Sequence, residues 1–178
     1  MTGAAGATVF SRELLARAAR VRLLLTDVDG CWTDGRITLN ADGQESVRFH
    51  IHDGYGIVQL LKSDVEIAVV SGRDTAAVRH RATGLGLKIV HLGVHDKSLI
   101  AEPLIRARGL AREEVAAFGD DLPDEPLFDC AGLCIAPPGA MPEIRARADF
   151  VTSAPGGGGA LRQVCDLLLA ARAVRRAP

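Results

Sequence analysis

The sequence predicts an α/β protein: a doubly wound, Rossmann-like parallel sheet with helices on both faces, in one domain over residues 1–178. Three observations predict it. Short apolar runs alternate with longer amphipathic stretches from residue 21 onward, the pattern of strand–helix–strand units in one parallel sheet. The runs at 21–26, 67–70 and 115–118 read as buried strands. Each of them ends in acidic or small polar residues, at the edge where open sheets of this kind bind ligands.

The elements follow in order. Residues 1–9 are small and weakly patterned and read as a frayed end. Ser11 is an N-cap for a short helix reaching residue 20. After the strand at 21–26, residues 36–51 read as a β-hairpin: Ile37 and Leu39, then Val47, Phe49 and Ile51, alternate with polar residues, and Asp42-Gly43 supplies the turn. A helix is expected over 54–63, a strand over 67–70, and a helix from Asp74 to about 83. A strand at 88–92, a helix at 97–108 and a strand at 115–118 continue the alternation. Then come a short helix near 125–131, a strand at 133–136, a helix near 141–148 and a short strand at 150–152. The glycine run 156–159 reads as a flexible connector to a last helix over about 160–172, followed by a basic tail at 174–178.

Composition narrows the class. Of 178 residues, 48% are hydrophobic and 24% charged, ordinary for a globular chain with a substantial core. A formal net charge of −1 gives no electrostatic case for nucleic acid or an anionic membrane. No apolar stretch reaches transmembrane length, and Arg12, Glu13, Arg17 and Arg20 break any signal-peptide pattern, so the expected compartment is the cytoplasm. Cys31, Cys130, Cys134 and Cys165 form no Cys-x-x-Cys pair and are expected to be reduced.

Chemistry concentrates at the strand ends. Asp27 and Asp29, two apart on an extended backbone, point the same way and converge on one volume. Crowded carboxylates call for a divalent cation, or for a division of labour in which one attacks and the other handles a proton. Ser71-Gly72-Arg73 closes a strand and opens a helix, which offers a hydroxyl and free backbone N–H groups to an anion. Asp120-Asp121 follows another strand and suits a hard cation. Lys97 adds a fixed positive charge. His50 with His52, and His91 with His95, are near-neighbour pairs for which no further zinc ligand is evident.

That order of groups resembles the haloacid dehalogenase superfamily of phosphotransferases, in Asp27-Val28-Asp29-Gly30, Ser71, Lys97 and Gly119-Asp120-Asp121. More narrowly, Asp27 to Gly35, Asp53-Gly54-Tyr55-Gly56, Ser71-Gly72-Arg73, Gly119 to Asp124 and the glycine run before Ala160-Leu161-Arg162 resemble the 3-deoxy-D-manno-octulosonate 8-phosphate phosphatases. The resemblance implies a capless fold, a homotetramer whose hairpins form a central barrel, and active sites completed by neighbouring subunits. Asp34 to Asp53 leaves room only for a hairpin, in keeping with this.

The resemblance further implies an Mg²⁺-dependent phosphomonoesterase acting on a sugar-acid phosphate through an aspartyl-phosphate. Asp27 is then the nucleophile and Asp29 the acid and base. Mg²⁺ is held by Asp27, the main-chain carbonyl of Asp29, and Asp120. Ser71 and Gly72 bind the phosphoryl group, Lys97 offsets charge, and Asp121 orients Lys97 or a metal-bound water. Arg73, His52 and Thr33 face the substrate. His52 stands where the family often has Arg or Lys, which leaves open a different sugar or nucleoside-type phosphate. A catalytically idle subunit that only assembles or regulates is a further alternative.

Overall fold

The computed structural model describes residues 10–176. The fraying expected at residues 1–9 and the last two residues of the basic tail lie outside them. Six parallel strands form the main sheet: β1 (Leu23–Thr26), β4 (Glu66–Val70), β5 (Ile89–His91), β6 (Val115–Phe118), β7 (Leu133–Ala136) and β8 (Phe150–Val151), in the order β5-β4-β1-β6-β7-β8. A separate antiparallel pair, β2 (Thr38–Leu39) and β3 (Glu45–Ser46), is the hairpin. Seven helices complete the described chain: α1 (Arg12–Ala18), α2 (Ile51–Leu60), α3 (Ala76–Gly84), α4 (Ser98–Ala107), α5 (Glu125–Cys130), α6 (Pro142–Arg147) and α7 (Ala160–Arg176). None of them is long and apolar enough to cross a membrane.

The strand order places a topological switch between β1 and β6. The chain runs outward through β4 and β5, then returns to the other side of β1 and continues through β7 and β8. Connections leaving the carboxyl ends of β1 and β6 therefore diverge and open a crevice between Thr26 and Phe118, which are register partners. Successive β1 side chains feed opposite layers, as a pleated strand requires: Leu24 packs with Ala18, Ile57, Leu161 and Leu168, whereas Leu23 and Leu25 pack with Ala101, Leu127 and Phe128. One layer is thus built on α1, α2, α3 and α7, the other on α4, α5 and α6.

Three local expectations change. The hairpin pairs only over two short segments, and residue 51 begins α2 instead of ending a strand. His50, expected within the hairpin, is instead the helix N-cap, its Nδ1 accepting from His52 N–H at 3.2 Å. The turn itself forms as read: Gly43 adopts φ 75°, and Asn40 Oδ1 accepts from Asp42 N–H and Gln44 N–H at 3.0 and 2.8 Å.

The last helix extends to Arg176, anchored by the buried Arg172, which donates to Asp64 Oδ1 at 2.6 Å and to the carbonyls of Leu168 and Val21. The basic tail therefore begins as helix.

Nor is the glycine run a loose connector. It packs face to face with the loop after β1: a Cβ on Gly156 would lie 1.7 Å from Gly30 O, and one on Gly157 2.6 Å from Asp34 N. Only glycine permits this approach. Gly156→Ala is expected to destabilise the fold by about 1–3 kcal/mol through overpacking, whereas Gly139→Ala, with open space around it, stays within about 0.5 kcal/mol. Urea denaturation of the two variants checks the contrast.

Candidate active site

The crevice holds a cavity of about 310 Å³ whose lining includes Asp27, Asp29, Ser71, Lys97, Asp120 and Asp124. Five of these, all but Asp124, are legible in the sequence, from motifs at three different strand ends or as a lone lysine, and the fold brings them to one place. Asp27 follows β1, Ser71 follows β4, Asp120 follows β6, and Lys97 precedes α4. Gly72 and Arg73 line the same cavity.

At its floor, Lys97 is buried between two carboxylates. Its Nζ donates to Asp27 Oδ1 and to Asp124 Oδ1, both at 2.5 Å. The other oxygen of Asp124 accepts from the backbone N–H of Asp120 at 2.8 Å and of Asp121 at 3.2 Å. Asp124 thus locks the lysine and the loop after β6 together. Of the two roles expected of Asp121, orienting Lys97 or a metal-bound water, the bond to Lys97 is made by Asp124, three residues on. Asp121 instead caps the turn, accepting from Leu122 N–H at 2.8 Å, and does not bond Lys97. Burial alone would lower the Lys97 pKa, but Asp27 and Asp124 together outweigh it and hold the group above its ordinary value.

The carboxylates around it are crowded. Burial first, then repulsion from Asp124, pushes Asp27 up to about 7 against the pull of Lys97. Burial, then Asp27 and Asp124, pushes Asp120 up to about 8. Oxygens of Asp27 and Asp120 lie within 4.8 Å of each other. A Cβ on Gly30 would stand 2.0 Å from Asp120 Oδ2, so glycine at this turn is what admits the Asp120 carboxylate. Oxygen donors raised in pKa by burial and by mutual repulsion, in a space kept clear by glycine, fit a hard divalent cation such as Mg²⁺. No histidine belongs to the cluster among the described residues.

Asp29 turns away from this cluster. Its Oδ1 accepts from Arg73 Nη1 at 3.2 Å, leaving the carboxylate on the cavity rim, where it can exchange protons with a bound molecule. Arg73 also donates to Glu45 Oε2 of β3 at 2.5 Å. Ser71 is buried, its Oγ accepting from Arg73 N–H at 3.3 Å. Two residues expected at the substrate lie elsewhere in the chain taken singly. Thr33 is fully buried and holds the loop after β1, its Oγ1 accepting from Gly35 N–H at 3.2 Å and Gly30 N–H at 3.4 Å. His52 is exposed on the first turn of α2, edge-on to His50 at 4.8 Å, and does not line the cavity. Trp32 is buried, donating from Nε1 to Thr26 Oγ1 at 3.0 Å, and serves packing.

Known proteins share this fold. A family profile described as haloacid dehalogenase-like hydrolase matches residues 86–161. The 3-deoxy-D-manno-octulosonate 8-phosphate phosphatase of Escherichia coli K12 is 41% identical over 173 residues, which cover 96% of this chain and 92% of that one. The chain belongs to this phosphatase family. Within the family, the Moraxella catarrhalis phosphatase, solved with magnesium, phosphate and 3-deoxy-D-manno-octulosonate, superimposes with a TM-score of 0.88 at 35% identity, covering 92% of this chain and 94% of its own. A cobalt-bound member from Haemophilus influenzae gives 0.83 at 36% identity, covering 88% and 92%.

Sequence reasoning gave no role to Asp124, although it closes the Gly119-Asp120-Asp121-Leu122-Pro123-Asp124 segment. Its signal is the proline-tightened 3-10 turn Leu122–Asp124, which swings a carboxylate back over the two preceding acidic residues. Asp124→Ala removes a charged hydrogen-bond partner of Lys97 and two backbone anchors, and is expected to cost about 2–4 kcal/mol. Chemical denaturation beside Asp121→Ala, expected to cost about 1 kcal/mol as a lost cap, separates the two roles.

Proposed function

We propose that this chain is an Mg²⁺-dependent phosphomonoesterase for a phosphorylated sugar acid of the 3-deoxy-D-manno-octulosonate 8-phosphate type. One observation carries the reading: Asp27 is buried against Lys97 at the floor of the cavity, with Ser71 and Gly72 lining the same space. A carboxylate so held is positioned as a nucleophile. Family membership and the sugar-acid product in the Moraxella structure support the substrate class.

The chain's own groups then divide the work. Asp27 attacks phosphorus, forming an aspartyl-phosphate as the ester oxygen departs. Asp29, on the rim, gives that oxygen a proton and then takes one from the water that hydrolyses the acyl phosphate. The Ser71 hydroxyl and the Gly72 N–H bind phosphoryl oxygens. Lys97 offsets the charge that Asp27 and the phosphoryl group bring together, and Asp124 keeps the lysine in place. Asp27, Asp120 and the Asp29 carbonyl would hold Mg²⁺, which would neutralise the phosphoryl charge facing the nucleophile. Arg73 meets the substrate carboxylate as a two-pronged donor, exchanging its present acidic partners for it.

The assembly is a homotetramer built through the hairpin and the start of α2. Ile37, Leu39, Ile51 and Tyr55 support this, since they expose 47%, 65%, 75% and 55% of their surface on neighbouring segments. His52 lies on that same turn of α2, so its contact with substrate runs through a neighbouring subunit. Sedimentation velocity is expected to give four copies, and a stable monomer at micromolar concentration would refute the assembly.

The activity is tested with a panel of phosphorylated sugar acids, sugars and nucleosides, reading released phosphate. Release from the sugar-acid phosphate alone, dependent on Mg²⁺, is expected. Preference for a nucleoside phosphate would support the alternative opened by His52, and activity on none would support an idle subunit. Asp27→Asn is expected to lose at least about a thousandfold in kcat. Asp120→Ala shifts the Mg²⁺ needed for half-maximal rate upward by about tenfold or more, and an unchanged Mg²⁺ dependence would remove Asp120 from the metal site.

A further inference from the structure

Glu45 stands on β3 of the hairpin and meets the cavity only through Arg73. Its Oε2 accepts from Arg73 Nη2 at 2.5 Å, while Arg73 Nη1 donates to Asp29 Oδ1 at 3.2 Å. Arg73 lines the cavity and Glu45 does not, so Glu45 draws on the guanidinium from outside the space that a bound molecule fills. A carboxylate arriving in the cavity therefore competes for Arg73 with a carboxylate already built into the chain.

Hydrolysis of a phosphorylated sugar acid changes one end of the molecule and spares the other. The phosphoryl group leaves, but the carboxylate facing Arg73 is the same before and after. A grip on that group is uniform binding, which holds product as firmly as substrate and does nothing for the chemical step. A tethered competitor on the same guanidinium weakens the grip at a fixed effective concentration, whatever anions the solution contains.

We propose that Glu45 is an internal competitor for Arg73, a positioning residue that loosens the hold on the sugar-acid product and so hastens its release. The inference rests on the sugar-acid reading above. Glu45 touches neither substrate nor product; it reclaims the guanidinium as the product's carboxylate lets go, and no covalent bond is made or broken.

The test is a calorimetric titration of the full chain, in Mg²⁺, with free 3-deoxy-D-manno-octulosonate and separately with inorganic phosphate. Glu45→Gln keeps the shape of the side chain and removes its charge. It is expected to bind the sugar acid about three- to fivefold more tightly, the scale of one partly exposed ion pair, and to bind phosphate within about twofold of wild type. Inhibition of phosphate release by the free sugar acid strengthens by the same factor. A merely structural role for Glu45 predicts the opposite, weaker binding of the sugar acid once the hairpin contact is lost. Unchanged or weaker binding of the sugar acid by Glu45→Gln overturns the proposal and leaves the sugar-acid reading in place. Equal tightening of sugar acid and phosphate also overturns it, since the cause is then diffuse charge and not competition at Arg73. Absence of sugar-acid binding to wild type and variant alike overturns the sugar-acid reading, and the proposal with it.

Discussion

Lys97, held between Asp27 and Asp124, is the interaction on which the rest of the site depends. Three buried or half-buried carboxylates, Asp27, Asp120 and Asp124, line the cavity with one ammonium, which bonds Asp27 and Asp124 and leaves two negative charges uncompensated when all three are ionised. A divalent cation cancels that remainder, and the raised values at Asp27 and Asp120 mark what happens without one. The lysine allows an acidic cluster to be buried at all, and through Asp124 it ties Asp27, at the end of β1, to the loop bearing Asp120. Such buried pairs are costly to desolvate and contribute little net stability, so their value lies in fixing geometry.

That geometry is braced from behind. Asp53, buried at the start of α2, accepts from Arg162 N–H at 2.7 Å and so caps α7 where it leaves the glycine run. The glycine run in turn presses on Gly30 and Thr33 of the loop after β1. A chain of contacts runs from the Asp53-Gly54-Tyr55-Gly56 segment through the start of α7 to the turn between Asp29 and Gly35. Two sequence motifs outside the cavity thereby set the position of the loop that carries Asp29 and Gly30. Burial raises the Asp53 carboxyl, partly opposed by its bond from Arg162, the cost of placing an acidic cap inside the protein.

The sequence was most legible where side-chain pattern alone decides structure. Strands β6 and β7 fall at the expected residues because both faces are buried and every position is apolar. The convergence of Asp27, Ser71 and Asp120 followed from strand ends meeting at one sheet edge, where Lys97 joins them from the start of α4. Legibility failed where a single distant partner decides. Nothing near Asp124 in the chain announces Lys97, twenty-seven residues away, as its partner. The start of α2 depends on His50 acting as a cap, which the alternation of the hairpin masked. The glycine run looked flexible because its partner, the loop after β1, lies more than a hundred residues upstream.

Arg73 shows how the hairpin and the reaction meet. Its guanidinium joins Asp29, the rim acid, to Glu45 of β3, and both ion pairs are about one-third exposed. Pairs of that exposure are worth roughly 1 kcal/mol or less, so an anionic substrate group can replace either partner without unfolding anything. Glu45 occupies the Arg73 donor that a substrate carboxylate would take in the proposed reaction, and it rides on the two-stranded element whose apolar side chains stand exposed beside it. Whatever packs on Ile37 and Leu39 therefore sets where Glu45 sits, and Glu45 sets how readily Arg73 releases. Shape at the hairpin and charge at the cavity rim form one system, coupled through a single arginine.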